Sequence, residues 1–260
     1  MLRALSNGEA GLSAMQEALD TISNNIANMD TDSYKTQSVD FADLVYQGGG
    51  PSGYPQATAG QDAQLGDGSR VAAISHDLTQ GNLRQTNRPL DLAINGDGYF
   101  AVTGTAGKTM YTRDGRLSIN ANGQLTTSDG LLLAPRITVP SGDTNLVIAG
   151  NGQVTATDTS GQTVNLGAVR VNTFENPEGL QAMGGNLYQS TAASGTARSG
   201  TPGTGGTGQL VQGSLEQSNV SLVREMADMM VVERTYEFNS RAVQAADSMW
   251  SMANNLHTGS

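Results

Sequence analysis

The two ends of the chain carry apolar residues at helical spacing. Near the N-terminus the spacing alternates between three and four positions, as in an a/d heptad row, and the row is Leu5, Gly8, Leu12, Met15, Leu19, Ile22, Ile26 and Met29. At the C-terminal end one row recurs every seven positions beside a second, and these rows are Leu222, Met229, Tyr236, Val243 and Trp250, with Val232, Ala246 and Ala253. Both patterns predict amphipathic helices.

Glu225 and Asn239 interrupt the second C-terminal row. A buried Asn in such a row commonly fixes the register of packed helices at some cost in stability. The helices that these rows predict are long, and long helices usually belong to coiled coils. We therefore expect the two ends to form a coiled-coil-like domain. Their rows bury too little apolar surface to offset the entropy of ordering both ends. We therefore expect ends that are mobile in a monomer and ordered in an assembly.

The middle of the chain follows a different pattern, with short alternating runs such as GYFAVTG and TMYTRDGRLSI. These runs predict strands. Asn-Gly and Asp-Gly pairs, which accept the positive φ of tight hairpin turns, separate them at Asn95-Gly96, Asp97-Gly98, Asp114-Gly115, Asn122-Gly123, Asp129-Gly130 and Asn151-Gly152. The predicted fold class is α+β, with long terminal helices around a central, mainly antiparallel β domain.

These patterns divide the chain into five parts. They are an N-terminal helix over 1–35, an extended linker or sleeve over 36–70, a β domain over 71–190, a Gly/Ser/Thr-rich loop with a return strand over 191–217, and a C-terminal helix over 218–260. Residues 47–69 and 193–209 hold few apolar side chains, so we expect both stretches to be poorly packed.

Composition narrows the class of partner. The formal net charge of −10 would repel a polyanion, which argues against nucleic acid as a partner. The chain holds no apolar run of the roughly 20 residues that a membrane helix requires, so we expect no membrane insertion. The N-terminus lacks the basic start, apolar run and cleavage site of a signal peptide.

Catalytic, cofactor and metal sites are not predicted. Gly107-Lys108-Thr109 would need a Gly at position 102 to be a phosphate loop, and that residue is Val102. His76 and His257 are the only histidines, and the chain has no Cys, so metal-ligand spacing does not occur. We therefore expect a protein that is not an enzyme.

Residues 23–35, SNNIANMDTDSYK, carry the clearest family resemblance. They resemble the N-terminal signature of flagellar rod and hook proteins, in which NN-x-AN leads to a Thr and then to an aromatic-Lys pair. That family usually has a Gly before the aromatic residue, where this chain has Ser33.

The resemblance covers nearly the whole chain in order. It continues through VDFADLVYQ at 39–47, GNLRQT at 81–86, LDLAINGDGYF at 90–100, YTRDG at 111–115, NLY at 186–188, QSNV at 217–220 and ERTYE at 233–237. Within the family the chain looks most like the distal rod branch. It carries the YTRDG turn and has no room for the large outer domain of many hook proteins.

The resemblance implies a structural subunit of the flagellar basal body, located in the cell envelope or periplasm. Such a subunit is exported through the flagellar type III apparatus without a cleavable signal peptide and polymerises into a hollow, torque-transmitting rod. Its terminal helices form the inner tube, and its β domain forms the outer shell. The implied partners are copies of itself, other rod and hook subunits, the ring proteins around the rod and the export apparatus.

The predicted assembly residues combine the two helical rows with three asparagines of the signature, which we expect to make an inter-subunit polar contact. They are Leu5, Leu12, Met15, Leu19, Ile22, Asn24, Asn25, Ile26, Asn28, Leu222, Met229, Val232, Tyr236, Val243 and Trp250. Two alternatives stay open. One is a proximal rod or hook paralogue, and the other is a secreted β-rich binding or adhesion module whose helices oligomerise it.

Overall fold

The computed structural model describes residues 2–44, 47–48, 64–65, 68–104, 107–142 and 144–258. Most of residues 47–69, which we expect to be poorly packed, therefore lie outside the described residues. Two terminal helices and a mainly antiparallel β region confirm the α+β class. The chain divides into a helical unit, Met1–Ala27, Gln37–Asp77 and Val220–Ser260, and a β unit, Asn28–Thr36 and Leu78–Asn219.

The helical unit contains two long helices and two pairs of strands. Its elements are α1 (Leu2–Ala27), β1 (Gln37–Asp43), β2 (Gln47–Gly48), β3 (Gln64–Leu65), β4 (Ser69–His76) and α2 (Leu222–Thr258). β1 pairs antiparallel with β4 through an irregularity at Asp40/Phe41, and β2 pairs antiparallel with β3. α1 packs against α2 and against both β1 and β4. The structure ends α1 well before residue 35, the predicted boundary.

α1 and α2 pack antiparallel along a row of small residues. A Cβ added to Gly8 would come within 2.4 Å of Val243 Cγ2, and one added to Gly11 would come within 2.9 Å of Asn239 Nδ2. Near the other end of α1, Asn25 contacts Glu225. The small side chains let the two helix backbones approach closely.

The residues of α1 that are fully buried lie one position away from the predicted row. Within residues 5–27, where burial is described, they are Ala14, Ala18, Thr21 and Asn25. On α2, Glu225 and Asn239 lie in the row that faces α1, although the sequence pattern reads them as interruptions. The inward side of α2 is therefore more polar than predicted, because its partners across the interface are Gly and Asn.

The β unit is built from short antiparallel strands. They are β5 (Leu83–Gln85), β6 (Leu92–Asn95), β7 (Tyr99–Thr103), β8 (Thr109–Thr112), β9 (Leu117–Ile119), β10 (Leu125–Thr127), β11 (Leu132–Ala134), β12 (Thr144–Ile148), β13 (Gln153–Thr157), β14 (Thr163–Ala168), β15 (Val171–Thr173), β16 (Gln181–Gly184), β17 (Leu187–Gln189), β18 (Arg198–Gly200), β19 (Gln209–Gln212) and β20 (Ser214–Glu216). The largest sheet has the order β16-β17-β8-β7-β11-β10-β9, and β15 joins it between β7 and β18. Smaller sheets are β12-β13-β14, β6-β19 and β5-β20.

β7 lies at the centre of the β unit because both of its faces are buried. Phe100 and Val102 point into an aliphatic core with residues such as Leu117. Tyr99 and Ala101 point into a second, aromatic cluster with Tyr111, Phe174 and Tyr188. The continuous apolar run of this strand is the sequence signal for two-sided burial.

Most of the predicted turn glycines adopt positive φ, namely Gly96, Gly98, Gly123, Gly130 and Gly152. Gly115 is required for a different reason. A Cβ at Gly115 would come within 1.6 Å of the carbonyl oxygen of Leu92, so the close approach of two backbones excludes any side chain.

Residues 193–209 are ordered by hydrogen bonds, although most of them are exposed, as expected for a stretch with few apolar side chains. Ser194 is fully buried. Gly208 N donates to Asp97 O at 2.8 Å, and Gly203 N donates to Gly208 O at 3.0 Å. The stretch also contains β18, which pairs with β15. Backbone hydrogen bonds order this Gly-rich loop. They could not be predicted from the number of apolar side chains in the sequence.

Ser33 has the backbone conformation that a glycine would favour. Its φ is 61°, and it is almost completely buried. Its N–H donates to the carbonyl oxygen of Glu216 at 2.8 Å. The turn thus keeps a left-handed residue at the position where the resembled family usually has Gly.

We expect Ser33→Gly to raise the free energy of unfolding of the β unit by about 0.5–1 kcal/mol, because Gly adopts positive φ without steric cost. Urea unfolding followed by the near-ultraviolet circular dichroism of the buried tyrosines measures it. Ser199→Gly, in the extended strand β18, is the matched control and should lower the stability. A loss of stability in both variants would contradict a strained Ser33.

Candidate assembly site

Glu216 is the centre of a buried polar cluster in the β unit. Lys35 Nζ donates to Glu216 Oε1 at 2.6 Å, and Arg113 Nε donates to Glu216 Oε2 at 2.8 Å. The backbone N–H of Gly81 donates to Oε1 at 3.0 Å. The carboxylate has no side-chain exposure, so its charge is stabilised by these partners and not by water.

The two cations of the cluster also bind backbone carbonyls. Lys35 Nζ donates to Thr79 O at 2.6 Å. Arg113 donates from Nη1 to Gly98 O at 3.1 Å and from Nη2 to Gly96 O at 3.0 Å. Several separate segments of the family resemblance therefore meet around one carboxylate.

Aromatic rings surround this cluster. The guanidinium of Arg113 lies 5.7 Å from the ring centroid of Tyr99, and Tyr99 makes edge-to-face contacts with Phe174 and Tyr188. Burial raises the pKa of Tyr99, although Arg113 partly opposes the shift. Burial also raises the pKa of Tyr188. Both phenols therefore stay protonated at neutral pH.

We name residues 28–36 the anchor segment. Contacts of Asp32 hold this segment in the β unit. The Asp32 carboxylate pairs with Arg84 at 3.0 Å and with Arg116. Asn186 Nδ2 donates to Asp32 O at 2.9 Å.

The last residue of the anchor segment, Thr36, is bound to Asn219. Asn219 Oδ1 accepts from the backbone N–H of Thr36 at 2.8 Å and from its hydroxyl at 2.9 Å. Asn219 Nδ2 donates to Thr79 O at 3.2 Å. The end of the anchor segment and the residues before α2 are thus joined within the β unit.

Asn25 joins three elements of the helical unit. Its Nδ2 donates to Gln37 O at 2.8 Å, and its Oδ1 accepts from Gln37 N at 2.9 Å. Nδ2 also donates to Glu225 Oε2 at 3.1 Å. This side chain connects the end of α1, the start of β1 and the first turn of α2.

These contacts are made within the subunit, whereas the sequence predicts an inter-subunit contact for Asn25. Asn25 is almost fully buried, and both ends of its amide are bonded within the subunit. Asn24 is exposed on α1, and Asn28 is half-buried with its Oδ1 near the hydroxyl of Thr31 at 3.2 Å.

The predicted apolar assembly residues divide by burial. The half-buried ones are Leu12, Met15, Leu19, Ile22 and Ile26 on α1, with Met229, Val232 and Val243 on α2. The exposed ones are Leu5, Leu222, Tyr236 and Trp250. The exposed residues can contact a neighbouring molecule without any rearrangement of the subunit.

α2 carries a second apolar face that the sequence analysis missed. We name it the outer face of α2, and its exposed apolar residues are Val223, Met226, Met230, Val231, Phe238, Met249 and Met252. Val223 is 81% exposed and Phe238 is 77% exposed. The sequence does contain a signal for this face, because a further apolar row recurs every seven residues. This row is Val231, Phe238, Ala245 and Met252.

The described residues show neither a membrane-spanning helix nor a metal-binding cluster. No helix in this part of the chain is both long and apolar enough to cross a membrane. Within the same residues, no three His, Asp or Glu side chains lie close enough together to hold a metal ion.

Family models match three parts of the chain. Residues 5–35 match "Flagella basal body rod protein", residues 93–156 match "Flagellar hook protein FlgE/F/G D1 domain", and residues 211–256 match "Flagellar basal body rod FlgEFG protein C-terminal". These parts contain most of the polar clusters and most of both helices.

Similarity to individual proteins extends over almost the full chain. The flagellar basal-body rod protein FlgG of Borreliella burgdorferi is 40% identical over 263 residues, covering 98% of this chain and 99% of that protein. FlgG of Bacillus subtilis is 38% identical, with coverage of 98% and 99%. The flagellar hook-basal body complex protein FlhP of the same species is 31% identical, with coverage of 98% and 100%.

The chain belongs to the family of flagellar basal-body rod and hook proteins, whose role is structural. Within that family it is most similar to the rod proteins named FlgG.

The buried cluster generates a stability prediction. Glu216→Gln should lower the free energy of unfolding of the β unit by about 3–5 kcal/mol, because two buried cations lose their counter-charge. Lys35→Met should cost less, about 1–3 kcal/mol, because Glu216 keeps Arg113. Urea unfolding of the full chain measures both.

Arg198→Met is the matched control for these variants. Arg198 pairs with Glu175 on the surface of the same unit, and both side chains are mostly exposed. Its loss should change the stability by less than about 1 kcal/mol. Equal effects of the buried and the exposed substitutions would contradict the central role of Glu216.

Proposed function

We propose that the chain is a structural subunit of the distal part of the bacterial flagellar rod. It polymerises through its terminal helices into a hollow shaft that transmits torque. The observation that carries the proposal is the outer face of α2, which places large apolar side chains in solvent on the side away from α1.

A helix with apolar residues on two faces is stable when both faces are covered. In the single subunit, α1 covers one face of α2. Contiguous exposed apolar surface on a soluble protein marks an interaction site. Neighbouring subunits are the covering partner that a polymer supplies.

The cellular setting follows from the family. We infer location in the flagellar basal body, export through the flagellar type III apparatus without a cleaved signal peptide, and contacts with other rod and hook subunits and with the surrounding rings. Similarity to proteins named FlgG over almost their full length supports the distal rod over the proximal rod or hook.

The β unit serves this function as a structural module without catalysis. One cleft in this unit is lined by Asp97, Tyr99, Arg113 and Phe174 among other residues. Arg113 is committed to Glu216 and to backbone carbonyls. Within the described residues, this cleft does not combine a nucleophile, a base and an oxyanion donor, so the chain is not proposed as an enzyme.

The polymer proposal predicts that Val223→Asp and Phe238→Asp block assembly. Each places a charge in the covered interface, which should raise the critical concentration at least about 100-fold. Sedimentation and electron microscopy of the full chain measure assembly. Gln181→Asp, at an exposed polar position in the β unit, is the control and should assemble normally. Normal assembly of Phe238→Asp would contradict the proposal.

A second prediction concerns order in the two ends of the chain. Amide hydrogen exchange in α1 and α2 should slow at least about tenfold on assembly, because polymer contacts stabilise helices that are marginal in the monomer. Exchange in β7 and β11 should be slow in both states, since the core of the β unit is complete. Equal protection of α2 in monomer and polymer would argue against assembly-coupled ordering.

A further inference from the structure

The exposed side of α1 is acidic. Glu9, Glu17 and Asp20 are exposed there beside small polar residues such as Ser13 and Ser23. The sequence has no Lys or Arg between Glu9 and Ala27. Among the described residues, none of the three carboxylates takes part in an ion pair. We name Glu9, Glu17 and Asp20 the acidic face of α1.

The outer face of α2 combines apolar side chains with two arginines. Arg234, Phe238 and Arg241 are spaced four and three residues apart, which places them on one side of the helix. Met230 lies one turn before Arg234 on the same side. The side chain of Arg241 is 78% exposed, and its pairing with Glu237 is loose, at 3.8 Å.

We propose that the outer face of α2 docks onto the acidic face of α1 in a neighbouring copy of the chain. The inference rests on the proposed polymer function and names the surface that covers α2. Arg234 and Arg241 pair with the carboxylates of the neighbour, while Phe238 and Met230 pack over its small side chains. Charge favours this arrangement, because two acidic faces of α1 would repel each other, whereas the outer face of α2 carries two arginines beside one carboxylate, Glu237.

The same pairing accounts for an open polymer. The two surfaces are different patches of one molecule. A growing polymer therefore always has a free outer face of α2 at one end and a free acidic face of α1 at the other. Such heterologous contacts generate rings or helical filaments and do not close as symmetric dimers.

A charge-reversal cycle on the full chain tests the proposal. R234E/R241E and E17K/D20K should each raise the critical concentration for assembly at least about tenfold, because each creates like-charge contacts. The four substitutions combined should return it to within about threefold of wild type, since attraction is restored with reversed sign. K108E/R198E makes the same change in net charge on the β unit and should not mimic R234E/R241E.

The charge-reversal variants could assemble poorly for reasons other than the proposed contact. A cross-linking experiment therefore tests the contact directly. The chain has no native Cys, so Glu17→Cys and Arg234→Cys can be introduced into separate chains. Oxidation of the mixed polymer should give disulfide-linked dimers of one chain of each kind. Each variant oxidised alone should give few.

The outcomes separate the inference from the proposed function. If both reversals assemble like wild type, or the combination does not restore assembly, or the mixed polymer does not cross-link, the pairing of α2 with α1 is wrong. The polymer function still stands in those cases when Phe238→Asp blocks assembly. Failure of the wild-type chain to polymerise, or normal assembly of Phe238→Asp, instead removes the proposed function.

Discussion

The burial of one carboxylate, that of Glu216, governs the architecture of the β unit. A charge removed from water must find counter-charges and donors nearby. Glu216 obtains them from Lys35 in the anchor segment, from Arg113 after β8 and from the backbone of Gly81. Because these groups come from distant parts of the sequence, satisfying one carboxylate fixes the positions of several segments together.

The helical unit uses the same principle on a smaller scale. Asn25 satisfies both backbone groups of Gln37 and one oxygen of Glu225. A polar residue inside a helix interface lowers stability unless it is hydrogen-bonded. When it is bonded, it fixes the register in which the two helices pack. Polar anchoring inside the subunit leaves the apolar outer face of α2 free for neighbours.

Local patterns predicted the class of fold and the turns of the β unit. They also predicted that α2 is amphipathic, but periodicity alone could not decide which of two apolar faces meets α1. Glu225 and Asn239 face inward because Asn25 and Gly11 lie opposite, and that information is held by another helix. Glu216 was missed for a similar reason, since its partner Lys35 is 181 residues away in the sequence.

The wide separation of Lys35 from Glu216 has a kinetic consequence. The anchor segment is made early and its counter-charge late, so the ion pair cannot close until nearly the whole β region is present. Contacts of such high sequence separation form slowly, because the intervening loop must be closed first. A chain emerging from a narrow channel with its N-terminus first would therefore remain unlocked until its last strand, β20, had cleared the exit.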